Sequence, residues 1–273
     1  MLAKDPFRTR DHVENFDELV NEYRARSAVT RASLPMLGGL AYGTGDNEKM
    51  DLFLPPPSKG TCPVHLFIHG GYWRMFSKDD FSFIAETVTA AGGIAAIMDY
   101  DLMPMVRLKT IVAQVQKAVQ WLAANIETFG GDADRLSISG HSAGAHLAAL
   151  TSFERASVPR PTGILLLSGV YDLGPLQSSF LQPLIDITDE EVAEFSPLSL
   201  RHVPGPQVIV AFGERETDPF KHQGASFARL LEAQVFAVTT HMLRDADHMT
   251  AVRDLGVIES AAGRLLANAI RAS

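Results

Sequence analysis

Leu136-Ser137-Ile138-Ser139-Gly140-His141-Ser142-Ala143-Gly144-Ala145-His146-Leu147-Ala148-Ala149-Leu150 is the stretch on which the reading of this chain turns. Leu136–Ser139 predicts a short strand, and the alanine-rich run Ser142–Phe153 predicts a helix. Between them, Gly140 to Gly144 fits G-x-S-x-G. At a sharp strand-to-helix turn this pattern holds its serine in a strained backbone conformation and lifts the hydroxyl above the sheet. Glycine on both flanks lets neighbouring backbone approach closely. The competing reading is a chance match, expected about once in ten chains of this length when Gly and Ser each make up roughly 7% of residues. A strand before the motif and a helix after it favour Ser142 as a nucleophile.

Outward from this turn, apolar runs alternate with helical spacing. Val64–Ile68, Ile94–Met98, Gly163–Leu167, Val208–Phe212 and Val235–Thr240 read as strands, while Asp79–Ala91, Thr110–Thr128, Lys221–Ala233 and Met249–Ala267 read as helices. Continuous apolar runs suit strands buried on both faces, and their alternation with long helices means a parallel sheet. The expected fold class is therefore α/β: a mostly parallel central sheet with helices on both faces, in a single domain over residues 1–273. Residues 11–33 are expected to be helical, with Phe16, Leu19, Val20 and Tyr23 on one stripe. Leu34–Thr44 reads as loop or short strand, and Met50–Leu54 as a run stopped by Pro55, Pro56 and Pro57. From Gly169 to Pro206 the rhythm lapses, apart from a short acidic helix expected at Thr188–Glu194. Residues 170–206 are read as a small cap or insertion, either part of a substrate pocket or an ordinary surface connection.

Composition excludes several classes. The chain has 273 residues, of which 46% are hydrophobic and 21% charged, so it supports a sizeable core and is not disordered. Lys plus Arg is 24 against 32 for Asp plus Glu, with no basic block, which disfavours a nucleic-acid partner. Cys62 is the only cysteine, so neither an intrachain disulfide nor a cysteine-built zinc site is possible. Met1–Val20 carries charges throughout, and no run of 18 apolar residues occurs. The expectation is a soluble, cytoplasmic protein with no secretory signal and no membrane partner. No metal and no cofactor are expected. A monomer and a homodimer are both compatible with the composition.

A serine nucleophile needs partners. Backbone N–H groups must meet the oxyanion, and His69-Gly70-Gly71-Tyr72-Trp73, directly after a predicted strand, offers Gly70 and Gly71, with the Ala143 N–H beside the nucleophile. Against this stands a plain glycine turn with Trp73 in the core. Tyr72, Trp73 and Phe76 are candidates to line a substrate pocket. The base is expected in a loop after the last strand, which selects His248 in Asp245-Ala246-Asp247-His248-Met249 over His241, placed in or at the end of a strand. The acid is expected after Val208–Phe212, where the loop from Gly213 to Pro219 offers Glu214, Glu216 and Asp218. Spacing does not choose between Glu216 and Asp218, and Glu214 stands too close to the strand to reach across.

With these residues assembled, the chain resembles the α/β-hydrolase superfamily and, within it, the kynurenine-formamidase-like group and its bacterial esterase relatives. The resemblance runs over nearly the whole length. It is carried by Tyr23-Arg24-Ala25-Arg26-Ser27, Ala41-Tyr42-Gly43, Met50-Asp51-Leu52-Phe53, His69 to Trp73, Ser168-Gly169-Val170-Tyr171-Asp172-Leu173 and Ser196-Pro197-Leu198. The Gly140 to Gly144 motif is shared by all such hydrolases. In that group the acid stands three residues after the glycine that ends the strand, which implies Glu216. Asp218-Pro219-Phe220 resembles the lipase-type pattern instead. Asp218 also has the signature of a helix cap, because Pro219 follows it. One departure is Tyr100-Asp101-Leu102, where relatives carry Tyr-Arg-Leu, which implies a lost or reversed salt bridge.

The implied function is a serine hydrolase that cleaves a small amide or ester through an acyl-enzyme, most closely an arylformamidase of the N-formylkynurenine type. A general carboxylesterase is the alternative. A non-catalytic binding protein on the same fold is the reading from a different class, and such proteins usually lose the serine or the histidine, both of which this chain keeps.

Overall fold

A computed structural model describes residues 4–57 and 59–272 of the chain. Its strands are β1 (Met36–Ala41), β2 (Lys49–Phe53), β3 (Cys62–Ile68), β4 (Ile94–Met98), β5 (Gly131–His141), β6 (Gly163–Leu167), β7 (Gln207–Gly213) and β8 (Ala237–Leu243). They form one sheet in the order β1-β2-β4-β3-β5-β6-β7-β8. The pairs β1–β2 and β2–β4 are antiparallel, and every later pair is parallel. The helices are α1 (Phe16–Ser33), α2 (Lys78–Phe81), α3 (Ala85–Ala90), α4 (Leu108–Asn125), α5 (Ala143–Ala149), α6 (Gln182–Ile185), α7 (Asp189–Phe195), α8 (Asp218–Ala233), α9 (His248–Arg253) and α10 (Ala261–Arg271). Among the described residues, no helix is long and apolar enough to cross a membrane.

The apolar runs are continuous because each central strand is covered twice. Val64, Leu66 and Ile68 of β3, Ala96 of β4, Ile164 and Leu166 of β6 and Val208 of β7 pack into one core with α4, α5 and α8. Phe67, Ala95, Ile97, Leu165, Leu167 and Ala211 face the opposite core, filled by α1, α3, α9 and α10. Side chains alternate across a strand, so two apolar faces produce an unbroken run.

Two expected helices are divided, and two further segments take one of the forms left open by the sequence. Leu34–Thr44, read as loop or short strand, holds the short strand β1, whose register slips at Gly38 and Gly39. The expected helix Asp79–Ala91 is two short helices joined by a turn at Ser82–Ile84. The expected helix Met249–Ala267 divides into α9 and α10, because Asp247 caps the first through the N–H groups of Met249 and Thr250, and Ser260 caps the second through Gly263. A Cβ on Gly263 would lie 1.9 Å from the Val257 carbonyl, so only glycine allows this close turn. Residues 170–206 carry α6 and α7. Thr188 and Glu191 form a capping box at α7, and Arg107 ties it back by donating to Glu191 and to the carbonyls of Ile185 and Asp186.

Several histidines are buried in this frame. His65 bonds Ser137 and Ser139 across β3 and β5, and burial pushes it down to about 3. Burial likewise lowers His69 and His146 to about 4. Stability held by such neutral histidines is present above their unfolded value near 6.5 and is lost as pH falls toward 4, because the unfolded chain binds the protons. Asp99, raised to about 6 by burial, acts in the opposite sense and is favourable only below that pH. His141 and His202 are lowered by burial as well, so the buried histidines outnumber this one raised aspartate and unfolding near pH 5 takes up protons on balance. Denaturant midpoints should therefore drop steeply between pH 6.5 and 4.5. A flat profile there would contradict the burial of these rings.

Candidate active site

Five strand ends and the loops after them meet at the carboxyl edge of the sheet. Ser142 follows β5 directly, at φ 55° and ψ −119°, a backbone region that side-chain-bearing residues rarely enter. Packing enforces it. A Cβ on Gly144 would lie 2.0 Å from the Ile68 carbonyl oxygen, and one on Gly140 would lie 2.2 Å from that of Gly144. The turn is thus pressed against the end of β3, and the Ser142 N–H donates to the Leu167 carbonyl at 2.9 Å.

The loop after β3 lies against this turn. A Cβ on Gly70 would fall 3.2 Å from Ser142 Cβ, and Gly71 stands at φ 109°, where a Cβ would strike the Met75 carbonyl at 2.3 Å. His69 fixes the loop. Its ring is buried, stacks on Tyr100 at 4.3 Å, and donates from Nδ1 to the Gly70 carbonyl at 2.8 Å. The Tyr100 hydroxyl donates to the His69 carbonyl. Ala143 is the first residue of α5, and a first helical N–H has no intrahelical acceptor.

His248 opens α9. Its Nδ1 meets Glu216 Oε2 at 3.1 Å, and both side chains are buried. The other oxygen of Glu216 accepts from the Gly213 N–H at 2.7 Å and from the Ser168 hydroxyl at 2.5 Å. Asp218 is excluded from this position. It is the first residue of α8 rather than the cap, which is Thr217, and its carboxylate is 92% exposed and pairs with Lys221 at 3.2 Å. Glu214 accepts from the Asp245 N–H at the surface. His241 lies in β8, away from Ser142, and bonds only the neighbouring Thr239 among the described contacts.

Ser142, His141, His248, Gly71 and Tyr72 wall one cavity of about 20 Å³. Thr9, Phe16, Tyr23, Met75, Phe76, Phe81, Met249 and Val252 complete it. Trp73 does not take part. It is buried in the core and packs edge-on against His146, because the chain turns back there with Tyr72 and Trp73 both at positive φ. Residues 170–206 supply none of these walls; Phe180 only backs Tyr72 at 5.4 Å. The N-terminal segment takes that place. Tyr72 donates to the Phe7 carbonyl at 2.7 Å and bonds the Thr9 hydroxyl and N–H, and Thr217 donates to the Pro6 carbonyl. A larger groove of about 530 Å³, bordered by Val112, Phe153 and Phe195, lies elsewhere and contains neither Ser142 nor His248.

Ser168 and the N-terminal walls escaped the sequence reading. Ser168 carried a signal, a serine before glycine directly after an apolar run, but nothing in spacing showed that its hydroxyl meets a carboxylate 48 residues away. Asp101, the departure from the relatives' pattern, bonds Gln114 and Asn47 and does not line the cavity.

The kynurenine formamidase of Salmo salar is 30% identical over 226 residues, covering 78% of this chain and 75% of that protein. The chain belongs to the kynurenine formamidase family. The kynurenine formamidase of Danio rerio is 29% identical over 245 residues, covering 86% of this chain and 82% of its own. The family model BD-FAE matches residues 50–160. A crystal structure from Silicibacter sp. superposes with a TM-score of 0.84 at 27% identity over 99% of both chains. The kynurenine formamidase family and the sheet order together make this an α/β-hydrolase fold and the protein a hydrolase.

Glu216→Gln should lower turnover about 10³- to 10⁴-fold, as loss of a triad acid does. Asp218→Asn should leave both rate and melting temperature near those of the native chain. Steady-state kinetics of the two variants check this, and an inactive Asp218→Asn beside an active Glu216→Gln would contradict it.

Proposed function

We propose that the protein hydrolyses a small N-formyl arylamide of the N-formylkynurenine type through a formyl-enzyme, with Ser142 as nucleophile, His248 as base and Glu216 as its orienting acid. The observation that carries this reading is that the strained Ser142 borders the same cavity as His248, whose ring is held at Nδ1 by the buried Glu216. The Ser142 hydroxyl attacks the formyl carbon as His248 Nε2 takes its proton. The oxyanion is met by N–H groups of Gly70, Gly71 and Ala143. His248 then gives the proton to the departing nitrogen, the C–N bond breaks and the amine leaves. A water, deprotonated by His248, attacks the formyl-serine and releases formate, and the proton returns to Ser142.

The narrow cavity supports a very small acyl group. About 20 Å³ is room for one or two water-sized groups. An arylamine needs more space, and the walls outside the strands and α-helices, besides Ser142, are Thr9 of the N-terminal segment and the loop residues Gly71, Tyr72, Met75 and Phe76.

A turnover panel of N-formylkynurenine, its N-acetyl analogue and p-nitrophenyl esters of two to eight carbons tests the reading. The N-formyl amide is expected to give the highest kcat/KM, with activity falling as the acyl chain grows. Ser142→Ala should lower every rate by about 10⁶. Esters turned over well beside an inert formamide would make the protein a carboxylesterase, and full activity in Ser142→Ala would remove the nucleophile.

A further inference from the structure

We propose that His141 is a positioning residue for His248, resting on the reading of Ser142, His248 and Glu216 given above. His141 ends β5 and directly precedes Ser142, yet its side chain reaches the element that carries the base. Its Nε2 lies 2.9 Å from the His248 carbonyl oxygen. The two rings are 4.6 Å apart and inclined by 49°. A carbonyl only accepts, so Nε2 carries the proton and donates. Burial first, and His248 second, hold His141 well below the usual histidine range, so the ring is neutral.

This bond completes the restraint on the base. Glu216 grips the ring of His248 at Nδ1, and the ring of Phe220 covers it at 4.4 Å. A ring held only at Nδ1 still pivots about that bond. His141 fixes the other end, the backbone carbonyl, and links it to the residue adjoining the nucleophile. The Tyr23 hydroxyl pins the following carbonyl, that of Met249, at 2.5 Å. The distance between attacking oxygen and base is thus set through one side chain rather than through the length of the sheet. Neutrality matters too. A cation at 4.6 Å would oppose the positive charge that His248 acquires in each half-reaction.

The test compares His141→Phe, which keeps a ring and removes the donor, with His141→Gln, whose amide N–H stands close to where Nε2–H stood. Substrates are a formanilide and a p-nitrophenyl ester. The anilide nitrogen must receive a proton from His248 as it leaves, whereas p-nitrophenolate departs without one. His141→Phe should lower kcat for the anilide about 10- to 100-fold, with KM within about twofold and a smaller loss for the ester. His141→Gln should recover most of that loss. A wild-type rate in folded His141→Phe, equal losses in both variants, or equal losses on both substrates would overturn the proposal. If His141→Phe does not fold, Gln against Asn carries the test, because the shorter Asn amide does not reach the carbonyl; equal rates in those two would overturn it. Wild-type protein that turns over neither substrate would instead overturn the catalytic reading on which this rests.

Discussion

The contact between the β5–α5 turn and the end of β3 sets the geometry of the whole edge where Ser142, His248 and Glu216 gather. Gly144 lies so close to the Ile68 carbonyl that no side chain fits between them, and this closeness holds Ser142 at positive φ. The parallel register then distributes the remaining parts. Ile68 stands beside Gly140, so β3 runs on into Gly70 and Gly71 against the serine. His141 stands beside Leu167, so β6 runs on into Ser168. Strand β7 leads to Glu216, and the loop after β8 leads to His248. Each of five parallel strands delivers one part to the same edge, where ligands gather in open parallel sheets.

The cover over His248 comes from a part of the chain remote in sequence from the edge. Phe7 and Thr9 are fastened to Tyr72, and Phe7 packs at 6.0 Å on Phe220, whose ring in turn covers His248. His248 is therefore held in an apolar setting by side chains from distant parts of the sequence. Charge separated there is screened less than in water, so the fixed partners of His248 and Glu216 act more strongly.

The fold was legible because burial on both faces writes an unmistakable signal, as in Ile94–Met98 and Gly163–Leu167. The glycines around Ser142 were legible for the same physical reason, since close backbone contact tolerates nothing larger. Glu216 and Asp218 were not separable by spacing, because both lie in one loop. The difference is made by the turn from Gly213, which folds Glu216 inward onto Ser168 and the Gly213 N–H while α8 carries Asp218 outward. Trp73 was misplaced because a glycine-rich loop reverses direction without any periodic signal. The N-terminal cover was missed because the contacts of Phe7 and Thr9 span more than sixty residues. The division of the last helix was recorded locally in Ser260 and Gly263, but a periodicity search reads across such caps.

On the proposed reading, the strained turn makes Ser142 the activated nucleophile. Reaction of the native chain with an alkyl fluorophosphonate, followed by peptide mapping by mass spectrometry, tests it most directly. The account predicts one phosphonyl group per chain, on the peptide containing Ser142, with labelling lost when His248 is replaced by alanine. A label on any other residue, or none on Ser142 in folded protein, would contradict it.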